Sequence, residues 1–387
     1  MTLEELAART MPIVAEWETQ RKSSALIYFT GDRQPFGARV AEDAVRPMYD
    51  HLLALADSRK PEKIDLFLYS RGGDVSVPWR IVSMIRQFAS NLDVIVPYRA
   101  QSAATLISIG ADRIVMGRKA ELGPIDPTLV RASVSETSSP PQEIAVEDVN
   151  SYVSFLRDRV AIKDQRSMAD LLTRLVDKIG PLTLGSVNRQ HHHIRLIAEK
   201  LIRSRKNFHK DKASLKRIIE ILTERMYSHG HAIGRDEALA MGLPIEFPTA
   251  PLEELMWKLF LCYEEFLSLR DPIDFDVLLG ANDSHLLTDL SLGVIESTKM
   301  QHVFRMNADV RKKRNVPPNP QININLNLQV PQNTQQPPAP QQQAVVNQLL
   351  QQLSQILPGL VSQELIRQSP IVGFDARGYA GQWHRTR

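Results

Sequence analysis

The amino-acid sequence predicts an α/β protein built on a parallel sheet. Short apolar segments rich in β-branched residues alternate with segments whose apolar residues recur at helical spacing. Strands that alternate with helices in this way are typical of parallel sheets joined by right-handed crossovers. The strand segments are apolar at successive positions, which indicates strands covered by helices on both faces.

The elements of this sheet follow one another between residues 23 and 117. Each predicted strand ends at or beside a glycine or another small residue, and the predicted helices lie between the strands. The predicted strands are Ser23–Gly31, Lys63–Ser70, Leu92–Ala100 and Arg113–Gly117, and the predicted helices are Val40–Asp57, Val77–Phe88 and Ala104–Ala111.

Further segments are predicted around this core. Residues 1–22 form a polar, partly helical lead-in. The core domain spans residues 23–247, because long helical patterns over residues 149–225 are followed by a helix that stops at Gly242. Residues 248–310 are predicted to form an appended α/β subdomain with a helix and a β-hairpin.

The tail from residue 311 to residue 387 differs in composition from the rest. It is rich in Gln, Asn and Pro and carries no charged residue over residues 315–363, which is typical of disordered segments. Within it, apolar residues share one helical face at about 344–367. We expect this helix to dock a protein partner or to self-associate; membrane contact and an unstructured segment are the alternatives.

Composition limits the classes of function. Of the 387 residues 43% are hydrophobic and 24% are charged, which is ordinary for a soluble globular protein, and the net charge of +3 does not imply a nucleic-acid partner. The single cysteine, Cys262, excludes an internal disulfide and suits the cytoplasm. Without a signal peptide or an apolar run of about 18 residues, we expect a cytoplasmic protein, with peripheral membrane contact left open.

One serine lies between small residues where the third predicted strand meets the following helix. A serine nucleophile needs a tight turn, backbone N–H donors for the oxyanion and a base. Ser102, in "AQSAATL", begins a predicted helix, where backbone N–H groups lack partners. The alternative is that Ser102 only caps this helix.

A second turn follows the preceding strand, in "LYSRGGD". Gly72 and Gly73 allow backbone conformations and close approaches that other residues do not. Because both turns follow parallel strands, they lie at the same edge of the sheet, and the N–H groups of Gly73 and Ala103 are candidates for one oxyanion site. The alternative is that the two glycines form a plain turn.

Three stretches together resemble a known family. "LYSRGGDVSVPWRIVSMI", "IVPYRAQSAATLISIGADRIVMGRKAELGPIDP" and "HAIGRDEALAMGLPI" resemble the serine dehydrogenase proteinase family of prokaryotic S49-like serine peptidases, which have the Clp/crotonase fold and are relatives of signal peptide peptidase A. The resemblance covers roughly residues 25–247. It implies a Clp/crotonase-like ββα superhelical core with a helical extension, ahead of the tail, and it implies a homo-oligomer.

The resemblance also implies roles for the residues of both turns. Ser102 would be the nucleophile of a serine endopeptidase-like hydrolase. Gly73 and Ala103 would supply the oxyanion hole, and Gly72 belongs to the same substrate-binding turn. A peptide or protein substrate would bind in extended form along the strand edges.

The candidate general base of this chain differs from the general base of related families. Typical Clp proteases have a histidine about where this chain has Asp126, and the lysine of signal peptide peptidase relatives has no match here. The late loop carries His229 and His231. We therefore expect His229 to be the base, with Asp126 orienting its ring, His231 as second choice, and Lys119 or Lys163 as further alternatives. The other interpretation is that these histidines face solvent and that Asp126 is a turn residue.

The sequence thus predicts a serine peptidase that cleaves peptide bonds through a Ser102 acyl-enzyme, with no metal or organic cofactor. Three adjacent histidines at residues 191–193 do not suggest a metal site, because successive helix positions point about 100° apart. Two alternatives remain: a catalytically inactive scaffold that binds peptide or a partner, and a crotonase-like acyl-CoA enzyme that uses the same two turns.

Overall fold

The structure, a computed structural model, describes most of the chain. The described ranges are 1–57, 60–125, 128–131, 142–206, 211–224, 226, 230–316 and 340–387. They divide into two units: unit 1 comprises Met1–Ile273, Ser291–Met306 and Ala380–Arg387, and unit 2 comprises Asp274–Leu290 and Asn307–Tyr379. The four segments delineated from the sequence remain a prediction about domains.

Helices and strands alternate through the first part of the chain, as the sequence predicts. The α-helices are α1 (Leu3–Arg21), α2 (Val45–Ala56), α3 (Val77–Phe88), α4 (Ala103–Ile109), α5 (Val146–Ser154), α6 (Gln165–Ile179), α7 (Pro181–Arg203), α8 (Lys212–Glu224), α9 (Arg235–Ala240), α10 (Ala250–Phe266), α11 (Phe275–Leu279) and α12 (Pro340–Gln368). The strands are β1 (Ser24–Thr30), β2 (Lys63–Tyr69), β3 (Asn91–Val96), β4 (Arg99–Ala100), β5 (Arg113–Met116), β6 (Glu121–Leu122), β7 (Thr128–Arg131), β8 (Gln142–Ala145), β9 (Ile233–Gly234), β10 (Ile245–Glu246), β11 (Ser284–Glu296), β12 (Gln301–Arg314) and β13 (Ile371–Arg385).

The main sheet has a parallel core. Its strand order is β10-β5-β3-β2-β1-β11-β12-β13. The five strands from β10 to β1 are parallel neighbours, and β11 pairs antiparallel with β1. The central register places Leu66 of β2 between Leu26 of β1 and Val94 of β3. The parallel order puts the carboxyl ends of β1, β2, β3 and β5 at one edge, where the predicted turns lie.

Helices cover both faces of the parallel strands. Leu26 and Tyr28 of β1 belong to one hydrophobic cluster, which includes residues of α2, α3, α4, α7 and α8. Ala25, Ile27 and Phe29 belong to a second cluster, which includes residues of α1 and α10. Because successive side chains of a strand point to opposite faces, burial of both faces explains the unbroken apolar run of β1. The predicted α/β class with a parallel core is confirmed.

The lead-in is a single long helix anchored by a buried ionic cluster. A capping box between Thr2 and Glu5 begins α1. At its other end, Arg21 donates through Nε to Asp65 Oδ2 at 2.6 Å and through Nη2 to Asp93 Oδ2 at 2.7 Å. Burial, and then the charge of Asp65, raises the pKa of Asp93 to about 6. The cluster lies near the amino ends of β2 and β3, at the opposite end of these strands from the turns.

Two buried histidines link α2 to the turn between β11 and β12. His51 Nδ1 lies 2.8 Å from Ser297 Oγ, and His51 Nε2 lies 3.1 Å from His302 Nδ1. His51 is fully buried. Burial, and then the neighbouring His302, lowers the pKa of His51 to about 3. His51 therefore remains neutral in the folded chain over the physiological pH range.

The tail contains two described elements. The helix α12 overlaps the helix predicted at about 344–367, and β13 is a strand that the composition did not suggest. Within unit 1, the Trp383 ring of β13 packs 5.4 Å from that of Phe304 and 6.3 Å from that of Tyr28. In the part of the chain that the structure describes, none of the helices has both the length and the apolar character needed to cross a membrane.

Candidate active site

Ser102 occupies a strained turn between β4 and α4. Its backbone has φ of 51° and ψ of −115°, a conformation that residues with a side chain rarely adopt. Ser102 holds the N-cap position of α4, yet its side chain makes no capping hydrogen bond. Capping therefore does not explain this serine, in contrast to the alternative considered from the sequence. Strain of this kind is often found where a side chain is presented for chemistry.

The Gly72–Gly73 turn lies directly against Ser102. The backbone φ is 110° at Gly72 and 154° at Gly73. A Cβ atom added to Gly72 would lie 2.7 Å from Ser102 Cβ and 3.2 Å from the backbone nitrogen of Ala103. A Cβ atom added to Gly73 would lie 2.1 Å from the carbonyl oxygen of Val40. Both glycines are thus required by close approach, and the structure brings together the two turns that the sequence singled out.

Hydrogen bonds to Val40 and Ser70 hold the Gly72–Gly73 turn in place. Val40 donates its N–H to the Gly72 carbonyl at 2.8 Å and accepts from the Asp74 N–H at 2.8 Å. The buried Ser70 hydroxyl accepts the Gly72 N–H at 3.0 Å. Among the described residues, the backbone N–H groups of Gly73 and Ala103 have no acceptor. They are the two donors that the sequence analysis assigned to an oxyanion.

A small three-stranded sheet sets the positions of three chain segments. β4 pairs in parallel with β6, and β6 pairs antiparallel with β9. The registers align Ala100 with Leu122, and Leu122 with Ile233. Ser102 follows Ala100 by two residues, and the "GPIDP" loop follows Leu122. Because β9 runs in the opposite direction, the residues just before Ile233 lie at that same edge. The sheet thus aligns Ala100, Leu122 and Ile233, the strand residues from which these three segments extend.

A buried threonine ties the serine helix to the loop after β6. Thr105 Oγ1 lies 2.7 Å from the Ala100 carbonyl oxygen and 2.9 Å from that of Gly123, and it accepts the Gly123 N–H at 3.0 Å. This threonine in the first turn of α4 thus holds the end of β4 and the start of the "GPIDP" loop together. The sequence analysis did not assign this role.

The structure describes only some of the residues predicted to act as the base or to orient it. Asp126 and His229 lie outside the described residues. His231 is described: its Nε2 lies 3.0 Å from Glu237 Oε1 and 3.3 Å from Oε2, and its side chain is 40% exposed. The Lys119 ammonium lies 4.7 Å from the centre of the Tyr98 ring. Lys163 is exposed in the segment before α6.

A cluster of charged residues lies beside the two turns. Asp32 accepts the Tyr69 hydroxyl at 2.8 Å and the Nε of Arg71. Arg99 lies 3.5 Å from Asp32 through Nη1 and donates through Nε to Glu121 at 3.0 Å. Burial, and then the charge of Asp32, raises the pKa of Tyr69 above its usual range.

Sequence analysis missed this cluster of charged residues, although the sequence contains a signal for it. Asp32 and Arg71 follow β1 and β2 directly, Arg99 lies in β4, and Glu121 lies in β6. Each of these strands runs toward the same edge, so charged residues at or beyond their ends are expected to meet there.

Comparison with known proteins identifies a matching family over part of the chain. Residues 48–180 match the family model described as ClpP-like SDH-type serine proteinase. The curated relatives include two from Methanocaldococcus jannaschii. Uncharacterized protein MJ0137 is 27% identical over 224 residues, which are 58% of this chain and 66% of that protein. Uncharacterized protein MJ1495 is 33% identical over 66 residues, 17% of this chain and 23% of that protein. The chain thus spans less than two thirds of either relative.

Among solved structures, a mutant of the 1510-N membrane-bound stomatin-specific protease is similar to this chain. The TM-score is 0.31 and the sequence identity is 16%, and the match covers 57% of this chain and 79% of that one.

Proposed function

Because residues 48–180 match the family model described as ClpP-like SDH-type serine proteinase, we propose that this protein is a peptidase that uses Ser102 as its nucleophile. The observation that carries the proposal is the strained turn at Ser102. Its φ is 51°, its hydroxyl makes no capping bond, and the side-chain-free turn at Gly72 lies against it. The pair φ of 51° and ψ of −115° lies outside the left-handed helical region that side-chain-bearing residues sometimes adopt, and strain of this kind is typical of functional positions.

The reaction that this geometry supports is acyl transfer. Ser102 Oγ attacks the scissile carbonyl carbon, and the new C–O bond converts the carbonyl oxygen to an oxyanion. The N–H groups of Gly73 and Ala103, which no described residue occupies, donate to that oxyanion. The base takes the hydroxyl proton and returns it to the leaving amine as the C–N bond breaks. Water then hydrolyses the acyl-enzyme with the same base.

Our assignment of the base remains His229, oriented by Asp126. Support comes from the register of β4, β6 and β9, which aligns Leu122, four residues before Asp126, with Ala100 and with Ile233, four residues after His229. His231 is the second choice, and Glu237 would then be its orienting carboxylate. Lys119 and Lys163 are the remaining alternatives.

The substrate would be a peptide or protein bound in extended form beside the two turns. We further propose a homo-oligomer in the cytoplasm, with peripheral membrane contact as an option and with α12 as a docking element. The large apolar side chains Leu349, Leu353, Ile356 and Leu360 of α12 are exposed, as a docking helix requires.

Hydrolysis of a quenched fluorescent peptide library tests the proposal. We expect turnover by the wild type and none by Ser102→Ala. The matched control is Ser108→Ala, because Ser108 lies in the same helix and donates only to the Ala104 carbonyl oxygen within it. Loss of turnover in His229→Ala but not in His231→Ala would support our choice of base. Turnover that survives Ser102→Ala would contradict the proposal, and a wild type that binds peptide without cleaving it would favour the scaffold.

A further inference from the structure

One cationic side chain stands directly beside the candidate oxyanion turn. Arg71 precedes Gly72, so the two Cα atoms are about 3.8 Å apart. Gly72 in turn leaves no room for a Cβ atom between itself and Ser102. A substrate that presents its carbonyl to Ser102 therefore passes within reach of the long Arg71 side chain.

The Arg71 guanidinium is held at one end and open at the other. Its Nε donates to Asp32, whose second oxygen accepts the Tyr69 hydroxyl at 2.8 Å. Asp32 is only 13% exposed, whereas the side chain of Arg71 is 51% exposed. The two Nη groups of Arg71 have no partner among the residues that the structure describes. A guanidinium fixed through Nε presents these remaining N–H groups as a fork for a carboxylate.

Further charged groups lie around Arg71. Arg99 pairs with Asp32 and Glu121, Lys119 lies over the Tyr98 ring, and Glu264 is near enough to Asp32 for their charges to interact. Oxygen Oε1 of Glu121 is already used by Arg99 Nε and by the Gln101 side chain. The Nη groups of Arg71 are unpaired among the described residues, and it is these groups, rather than an overall positive charge, that favour a carboxylate of the substrate and disfavour a lysine or arginine.

We infer that Arg71 determines specificity by binding an acidic side chain, Asp or Glu, of a peptide next to the bond that Ser102 attacks. This inference rests on the proposed peptidase function, since it assumes that peptide lies along the two turns. Arg71 takes no part in the covalent steps. It positions and selects the substrate through a charge-assisted hydrogen bond.

The test uses binding, so that it does not depend on turnover. The Ser102→Ala protein is titrated with fluorescein-labelled, otherwise neutral peptides that carry one Glu or one Gln at each position in turn, and anisotropy gives the dissociation constants. We expect Glu at one position to tighten binding roughly 2–5-fold over Gln, the range for a partly exposed charge pair, and this gain to shrink at high salt.

Substitutions of Arg71 in the Ser102→Ala background assign the effect to one side chain. Arg71→Gln is expected to abolish the preference for Glu, Arg71→Lys to retain part of it, and Arg71→Glu to reverse it in favour of Lys peptides. The matched control is Arg80→Gln, which removes an exposed arginine of α3 that is likewise paired with a carboxylate, that of Glu42. Thermal unfolding verifies that all variants are folded.

Three results would overturn the inference: equal affinity for Glu and Gln peptides, a Glu preference that persists in Arg71→Gln, or no peptide binding up to about 1 mM, the weak end of specific recognition. Failure of the peptidase proposal looks different. In that case the acid preference is present, but the wild type neither cleaves peptide nor reacts with a fluorophosphonate.

Discussion

Replacing Gly72 by alanine is expected to disturb both stability and the candidate site. The added Cβ atom would lie 2.7 Å from Ser102 Cβ, 2.9 Å from the Gln101 carbonyl oxygen and 3.2 Å from the Ala103 nitrogen. Relief of such overlap costs about 1–3 kcal/mol in overpacked sites. The backbone φ of 110° adds about 1–3 kcal/mol for a residue with a side chain. We therefore expect the free energy of unfolding to fall by about 2–6 kcal/mol.

Urea denaturation followed by tryptophan fluorescence measures this change, and peptide turnover reports on the site. The matched control is Gly185→Ala. Gly185 lies inside α7, and a Cβ atom added there meets nothing within 4 Å. Alanine is the better helix former, so this variant should gain about 0.5–1 kcal/mol and keep its activity. A Gly72→Ala protein as stable and as active as the wild type would refute the close approach of the two turns.

Three further substitutions test the supports of the fold. Thr105→Val leaves buried backbone groups at Ala100 and Gly123 unsatisfied, so we expect a loss of about 1–3 kcal/mol in urea denaturation together with lower turnover. Arg21→Met leaves the buried carboxylates that it pairs with uncompensated and should cost about 3–5 kcal/mol by the same assay. His51→Gln should make the free energy of unfolding less dependent on pH in the acidic range. The folded chain binds a proton at His51 only near pH 3, whereas the unfolded chain binds one below about pH 6.5. As the pH falls from about 6.5 to about 3, the free energy of unfolding of the wild type therefore decreases by up to about 1.4 kcal/mol per pH unit.

Each of these substitutions has a matched control. Thr223→Val removes a buried hydroxyl that donates only to the Ile219 carbonyl oxygen of its own helix, and it should leave turnover unchanged. Arg9→Met breaks an exposed pair with Glu265 and should cost less than about 1 kcal/mol. For His51→Gln the control is the same measurement on Thr223→Val, which removes no titratable group and should keep the wild-type slope of stability against pH. Equal effects of a substitution and its control would contradict the role assigned to the buried residue.

The parallel core was predictable because its signals are local. The apolar run of β1, the helical spacing of α3 and the glycines after β2 each reflect the contacts of their own residues. The family resemblance is likewise confirmed, over residues 48–180. The two turns could be predicted to meet, since parallel strands end at one edge of a sheet. The catalytic roles of Ser102 and its predicted partners remain a prediction.

The features that the sequence did not reveal depend on distant partners. In the sequence, Arg21 is indistinguishable from any basic residue at the end of a helix. Only the pairing of β2 with β3 brings Asp65 and Asp93 together as its partners. β13 lies in a segment whose polar composition suggested disorder, although Trp383 packs on the core of unit 1. Asp32 and Arg71 are 39 positions apart in the chain. Local patterns carry no information about such pairs.

Fluorophosphonate labelling of the purified wild type, mapped by peptide mass spectrometry, tests the central claim most directly. We predict one adduct, on Ser102, that is absent from Ser102→Ala, retained in Ser108→Ala and reduced in His229→Ala. An adduct on another serine, or a folded wild type that does not react, would contradict the assignment of Ser102 as an activated nucleophile.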